Sequence, residues 1–419
     1  MERCTTMKSL LIILSLISLQ YVSARSIHVY PGKGSPLRQA IQSARNGDSV
    51  ILHAGTYKEG GPLQIKSAIY LIGQGNPVID GEMKHEIAVI ESDYVTIEGI
   101  TFQNSGTSGY EDIAALRILN KGHIYIANNR FENTFFGVYS QHAYYTTIAN
   151  NYFKSAGINE QGSANGIHCW KSDHMVIVNN YITGHRDGIY FEFVTNSTIA
   201  KNKSESNLRY GLHFMFSSQN RYLSNTFSNN GSGVAVMYSK GIHMKGNHFA
   251  NNWGDAAYGI LLKEITDSRV EENEFTSNTT AIYLEGSSRI NILNNQFISN
   301  GWAVKMQASS TENEIHANNF QGNSFDVATN GSLQLNHFSG NYWDKYEGYD
   351  LDKNGIGDVP YRPVSMFSVI VERNPPVLMM FHSFVTTLMD KAERILPGIT
   401  PVDLTDNKPM MKPLKSSTK

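Results

Sequence analysis

Apolar and polar positions alternate along most of the chain in short runs, and helical spacing is confined to its two ends. The runs repeat. Asn-x-Phe stands at Asn129-Arg-Phe131, Asn151-Tyr-Phe153, Asn225-Thr-Phe227, Asn247-His-Phe249, Asn273-Glu-Phe275, Asn295-Gln-Phe297, Asn318-Asn-Phe320 and Asn336-His-Phe338, with degenerate copies at Asn180-Tyr-Ile182 and Asn202-Lys-Ser204. Successive asparagines are 22, 29, 22, 23, 22, 26, 22, 23 and 18 residues apart. Glycine followed by an aliphatic residue keeps step with them at Gly137-Val138, Gly166-Ile167, Gly188-Ile189, Gly211-Leu212, Gly233-Val234 and Gly259-Ile260, with alanine in place of glycine at Ala281 and Ala303. A unit of this length holds two or three short strands; a helix within it would bring helical periodicity, which is absent. The pattern predicts an all-β chain, a right-handed parallel β-helix with one coil per unit, rising about 4.8 Å per coil. Stacked asparagines are expected to exchange amide hydrogen bonds, and stacked phenylalanines to fill the inside. Triplets such as Asn196-Ser-Thr198 are then by-products of the ladder and not glycosylation sites.

The ends read differently. Ser35 to Arg45 predicts a short amphipathic helix with Ser35 as its N-cap, followed by a strand at Ser49–His53, together covering the first coil. Met7-Lys8, the apolar Ser9–Leu19 and the small-x-small Val22-Ser23-Ala24 predict a secretory leader over residues 1–24. No cysteine stands at the cleavage point, which argues against a lipid anchor. The β-helix is expected over 25–375, with 25–60 as its cap region, and a helix and tail over 376–419. In that last part Val377, Met380, Phe381, Phe384, Val385, Leu388, Ala392 and Ile395 share one helical face, while Asp390, Lys391, Glu393 and Arg394 keep the segment out of lipid. Such a helix either caps the fold or docks on a partner. The tail from Thr400 is expected to be extended or mobile.

Composition narrows the possibilities. A net charge of −2 gives no support to nucleic-acid binding. With Cys4 inside the leader, Cys169 stands alone, so neither a disulfide nor a CxxC metal site can form.

The repeat sorts side chains by face. Positions one and three after the glycine, among them Cys169 and Phe214, point into the core, and Met244 fills a core slot as well. Positions two after it are Tyr139, His168, Tyr190, His213, Ala235, Leu261, Tyr283 and Lys305; positions four after it are Gln141, Trp170, Glu192, Met215, Met237, Lys263, Glu285 and Gln307. These face outward. His168, His213, Met215 and Met237 so placed could bind a soft cation such as Cu(I). Equally, with Trp170, Tyr190, Glu192 and Lys263, they could form a partner-binding face, for which methionine and aromatic residues are favoured. His185-Arg186-Asp187 reads as a charge-paired turn beside that face. Farther on, Asp350, Asp352, Asn354 and Asp358 place oxygen ligands at alternate positions around Gly355, a pattern that suits calcium as well as a plain Asx turn; an EF-hand would need glutamate where Tyr361 stands.

Long stretches resemble one family. GIHCWKS (166–172), GHRDGIYFEFV (184–194), NLRYGLHFMFS (207–217), GVAVMYSK (233–240), NNWGDAAYGILLKEI (251–265), NYWDKYEGYDLDKNGIGDVPYRP (341–363) and ERNPP (372–376) are similar to NosD, the periplasmic β-helix protein of nitrous oxide reductase maturation. The resemblance covers nearly all of the chain after the leader. It implies a non-enzymatic component on the periplasmic side of an ABC-type complex. Its partners would be a membrane subunit, an ATPase subunit, a copper chaperone and apo nitrous oxide reductase, whose copper–sulfide centre it helps to assemble. The chain has no phosphate-binding loop, so ATP would be hydrolysed by a partner. Under the resemblance Met380, Phe381, Phe384 and Leu388 would dock on the membrane subunit, copper would pass transiently, and Met379, Met380, His382, Met389, Met410 and Met411 become secondary copper candidates.

Two other classes share the fold. In a polysaccharide lyase, hydrolase or epimerase, Asp187, Glu192, Lys263, Glu264 and Glu285 would serve as acids and bases. The exposed rows count against this, since they alternate with methionine, tryptophan and tyrosine and carry few groups to neutralise a uronate. A passive adhesin predicts a featureless polar face, which this is not.

Overall fold

The computed structural model describes residues 24–155, 159–333, 335–396 and 404–415. The expected leader lies outside them except for its last residue. Each coil gives one short strand to each of three parallel sheets. The first sheet has fourteen strands, from Ser26–Val29 to His337–Ser339; the second has thirteen, from Thr56–Tyr57 to Tyr342–Trp343; the third has twelve, from Leu63–Ile65 to Phe325–Thr329. A central coil runs Val176–Val178, Tyr181–Thr183, Asp187–Glu192. The chain is a right-handed parallel β-helix, with three strands per coil.

The second sheet lines the interior with phenylalanines. Phe227, Phe249, Phe275, Phe297 and Phe320 stack at centroid separations of 5.5, 4.8, 5.1 and 4.7 Å, and all are buried. Each such side chain contributes roughly 1.5–3 kcal/mol by leaving water. Ile182 and Ser204, the degenerate copies, occupy the same register between Phe153 and Phe227. The last repeat copy is corrected by the register: Phe338 pairs with Ile315 in the first sheet, and Trp343 continues the ring stack on Phe320 at 4.1 Å. The true successor of Asn318 is therefore Asn341, 23 residues on, because tryptophan replaces phenylalanine in the final coil.

The asparagine ladder forms. Asn225 shows its unit: backbone N–H and side-chain Nδ2 both donate to Oδ1 of Asn247, at 2.9 and 3.0 Å, and Nδ2 also donates to the carbonyl of Ile199 at 2.9 Å. A buried amide thus spends its full hydrogen-bonding capacity. A second row climbs from Asn207 to Asn323 at the corner before the third sheet. The left-handed residue at the first corner is the one before the ladder asparagine, as at Asn128, Asn150 and Asn179, and not the ladder asparagine itself.

Helix α1 (Pro36–Ser43) buries Leu37, Ala40 and Ile41 over the first coil. Ser35 precedes it but does not cap it; its backbone is left-handed, with φ 57°, and the carboxylate of Glu59 accepts from the N–H groups of Leu37 and Arg38 instead. At the other end α2 (Met366–Arg373) packs Phe367 and Val371 on Phe325 of the third sheet, and Lys305 ties to Glu372 at 2.7 Å. The single helix expected over 377–396 is broken. A 3-10 helix covers Pro375–Met380, His382 is left-handed, and Ser383 caps a new helix, α3 (Phe384–Ile395). Two prolines at the start and a serine N-cap in the middle account for the break. The tail over 404–415 is extended, and it is held: Asp406 is buried against the last coil and Met410 bridges to Tyr342.

Candidate functional site

The outward rows of the third sheet stand in the register their spacing predicts. Tyr139, His168, Tyr190, His213, Ala235, Leu261, Tyr283 and Lys305 are successive partners across strands, and so are Gln141, Trp170, Glu192, Met215, Met237, Lys263 and Glu285. Cys169 faces the core, fully buried, and burial pushes its thiol up to about 12. It is not available as a ligand.

The four copper candidates are only partly brought together. Met215 and Met237 are direct partners, about 4.8 Å apart along the sheet. His213 lies on the same strand as Met215. His168 is two strands away, with Tyr190 between, its ring 4.7 Å from His168 and 5.0 Å from His213. Nδ1 of His168 is 3.0 Å from Nδ2 of Asn165. Burial, then the positive charges of Arg186 and Arg117, push His168 down to about 3, so it is neutral. Tyr190 donates its hydroxyl to Sδ of Met215 at 3.5 Å. Among the described residues no three His, Cys, Asp or Glu side chains converge as a metal site.

The rest of the face mixes charge with apolar surface. Trp170 is half-buried, with the Lys171 ammonium 4.4 Å above its ring. Lys263 and Glu285 are paired at 2.8 Å, and that hydrogen bond raises the lysine. Two of the candidate acid–base groups are therefore committed to each other. Sequence reasoning missed the shoulder beside this face: Phe193, Phe216 and Tyr238 stack at 5.2 and 5.0 Å, exposed, on left-handed backbone. Aromatic residues at one repeat position in three successive coils are the signal that could have found them. His185-Arg186-Asp187 is not internally paired. His185 is buried with both ring nitrogens unpartnered, Arg186 reaches Asn165 at 3.4 Å, and Asp187 faces Arg209 and His213.

The calcium-like loop is a self-bonded turn. Asp350 accepts from the N–H groups of Asn354 and Gly355, Asp352 from the N–H and side-chain amide of Asn354, Asn354 from Ile356, and Asp358 from Leu351. Its oxygens accept from donors of the loop itself, and the Asp350 and Asp352 carboxyl groups lie against each other.

Helix α3 packs inside out. Thr386, Met389 and Glu393 face the body of the protein, with Glu393 accepting from the Met366 N–H at 3.1 Å. Phe384 and Leu388, 80% and 56% exposed, face away from it, and Met380 just before the helix is 42% exposed. Phe381 differs from the expected docking set: its ring lies 5.2 Å from Phe325, inside the chain's own packing.

Residues 154–348 match the family model described as periplasmic copper-binding protein (NosD). That span holds the outward face from His168 to Lys305. A Stutzerimonas stutzeri protein described as a probable ABC transporter binding protein NosD is 28% identical over 383 residues, 86% of this chain and 86% of its own length. A Pseudomonas aeruginosa protein of the same description is 27% identical over 421 residues, 96% and 95% of the two chains. The chain is thus similar to NosD proteins, over residues 154–348 by the family model and over most of its length by the two relatives. The NosD family is described as periplasmic, and among the described residues no helix is long and apolar enough to cross a membrane. Among solved structures, the A-module of mannuronan C-5 epimerase AlgE4 from Azotobacter vinelandii superposes with a TM-score of 0.62 at 14% identity, over 75% of this chain and all of that one. At that identity the likeness shows the β-helix and nothing of the chemistry.

Proposed function

We propose that this chain is the periplasmic component of an ABC-type complex that matures nitrous oxide reductase, helping copper reach the copper–sulfide centre. It performs no catalysis itself; ATP is hydrolysed by a partner subunit. The observation that carries this reading is the apolar face of α3. A helix that packs Met389 on its own protein and still leaves Phe384 and Leu388 in water needs a partner to bury them. The names of the two relatives, probable ABC transporter binding proteins, support an ABC transporter as that partner, and the membrane subunit is the part of it we assign. The outward methionine face supplies soft donors for the cargo.

The double substitution Phe384→Asp, Leu388→Asp tests the docking. Both side chains are mostly exposed, so far-ultraviolet circular dichroism and thermal midpoint are expected to stay near wild-type values. Co-purification with the membrane subunit is expected to be lost. Retained association would overturn the docking assignment. The copper assignment is tested by anaerobic Cu(I) titration against a competing chelator, with His213, Met215 and Met237 together replaced by alanine; tight binding in the wild type and its loss in the triple variant are expected.

A further inference from the structure

Asp187 opens the strand Asp187–Glu192 and pairs in register with Tyr210. It is 1% exposed. Its Oδ1 accepts from the Tyr210 backbone N–H at 3.3 Å, with Nε of Arg209 3.9 Å away. Its Oδ2 has no hydrogen-bond partner and faces Nδ1 of His213 at 3.6 Å. His213 is buried between the rings of Tyr190 and Tyr210, 5.0 and 4.8 Å away, and neither of its ring nitrogens makes a hydrogen bond.

A neutral imidazole places its one proton according to what each nitrogen faces. A carboxylate oxygen near Nδ1 attracts an N–H there and repels a lone pair. The opposite tautomer would leave a buried carboxylate oxygen facing a lone pair, with no donor to offset its burial. An Nδ1–H tautomer of His213 would satisfy the carboxylate and leave Nε2 with a free electron pair. Histidines that bind metals regularly donate their other N–H to a carboxylate, which fixes the ring and strengthens the donor. His168 lacks this arrangement, since its Nδ1 meets the amide of Asn165.

We propose that Asp187 is a positioning residue for copper: it holds His213 as the Nδ1–H tautomer so that Nε2, with the thioethers of Met215 and Met237, donates to Cu(I). The proposal rests on the copper reading of this face given above. Arg209 and the Tyr210 amide anchor the far oxygen of the carboxylate, which keeps Asp187 pointed at the ring. Tyr190 covers both donors at once, its ring against His213 and its hydroxyl on Met215.

The test begins without copper. In protein labelled with nitrogen-15 histidine, two-bond proton–nitrogen correlations are expected to show His213 as Nδ1–H in the wild type. Asp187→Asn is expected to lose that preference and to bind Cu(I) ~10–100-fold more weakly, while Asp187→Glu keeps most of both. An Nε2–H pattern in the wild type overturns the proposal with no variant needed. So does a Cu(I) affinity unchanged in a folded Asp187→Asn protein. If that variant does not fold, the wild-type spectrum and Asp187→Glu carry the test. The expected tautomer with no Cu(I) binding in the wild type overturns the copper reading and leaves the role of Asp187 in setting the ring intact.

Discussion

Asp406→Ala is expected to detach the carboxy-terminal tail and loosen the last coil. The carboxylate is fully buried and accepts five hydrogen bonds. Oδ1 takes the N–H groups of Gly340 and Lys408; Oδ2 takes the N–H and Nδ2 of Asn341 and the indole N–H of Trp343. Removing it leaves a buried cluster of donors facing one another, a loss on the order of 3–5 kcal/mol by analogy with breaking a buried charge pair. Asp406→Asn is expected to be milder but not neutral, because its NH₂ group must point at donors where an oxygen stood. Hydrogen exchange at Gly340 and Asn341, and Trp343 fluorescence during urea unfolding, report the change at its origin. Wild-type protection in Asp406→Ala would refute the role given to the carboxylate.

Asn247→Ala is expected to be about as damaging, and in the middle of the chain. Asn247 accepts from the N–H and Nδ2 of Asn225 at 2.9 and 3.0 Å, and donates to Asn273 at 2.9 Å and to the Tyr222 carbonyl at 3.0 Å. Each orphaned buried group costs ~1–3 kcal/mol, partly relieved by relaxation, and a net loss of about 3–5 kcal/mol is expected. Stability in a solenoid passes between neighbouring coils, so the break should divide unfolding into two transitions. The matched control is Asn291→Ala, an exposed strand position, expected to fall within about 0.5 kcal/mol of wild type. Equal melting curves for the two variants would remove the ladder from any account of stability.

What could be read in advance follows from the range of each interaction. The core rows and outward rows needed only the period of two within a strand and the period of the coil, so His213, Met215 and Met237 fell on one face before any coordinate was known. Trp343 was hidden because it breaks the Asn-x-Phe spelling while keeping the stack. Phe338 was misplaced for the converse reason: it keeps the spelling in another sheet. Asp406 lies 65 residues from Asn341, and no local pattern marks it as a ladder partner. The contact between Asp187 and His213 also spans coils, although both residues stood on neighbouring repeats. The inside-out packing of α3 was half legible: its amphipathic face was evident, and which side the body of the protein would take was not.

The amide rows also have a direction. From Asn129 to Asn318 each amide-to-amide link in the first row runs from donor to acceptor toward the carboxy-terminal end, one N–H going to the next asparagine and the other to a carbonyl of the preceding coil, and the links at the two ends of the row from Asn207 to Asn323 run the same way. An amide carries a dipole close to the roughly 3.5 D of a peptide unit, and aligned dipoles add. The solenoid is therefore polarised along its axis, positive at the end where its donors run out. The anion of Asp406 sits at that pole, as an acidic residue does at the start of a helix. It neutralises the pole and blocks it, so another copy arriving end-on finds no free donor on which to continue the winding. The carboxylate and the tail that carries it close the last coil to growth into a fibre.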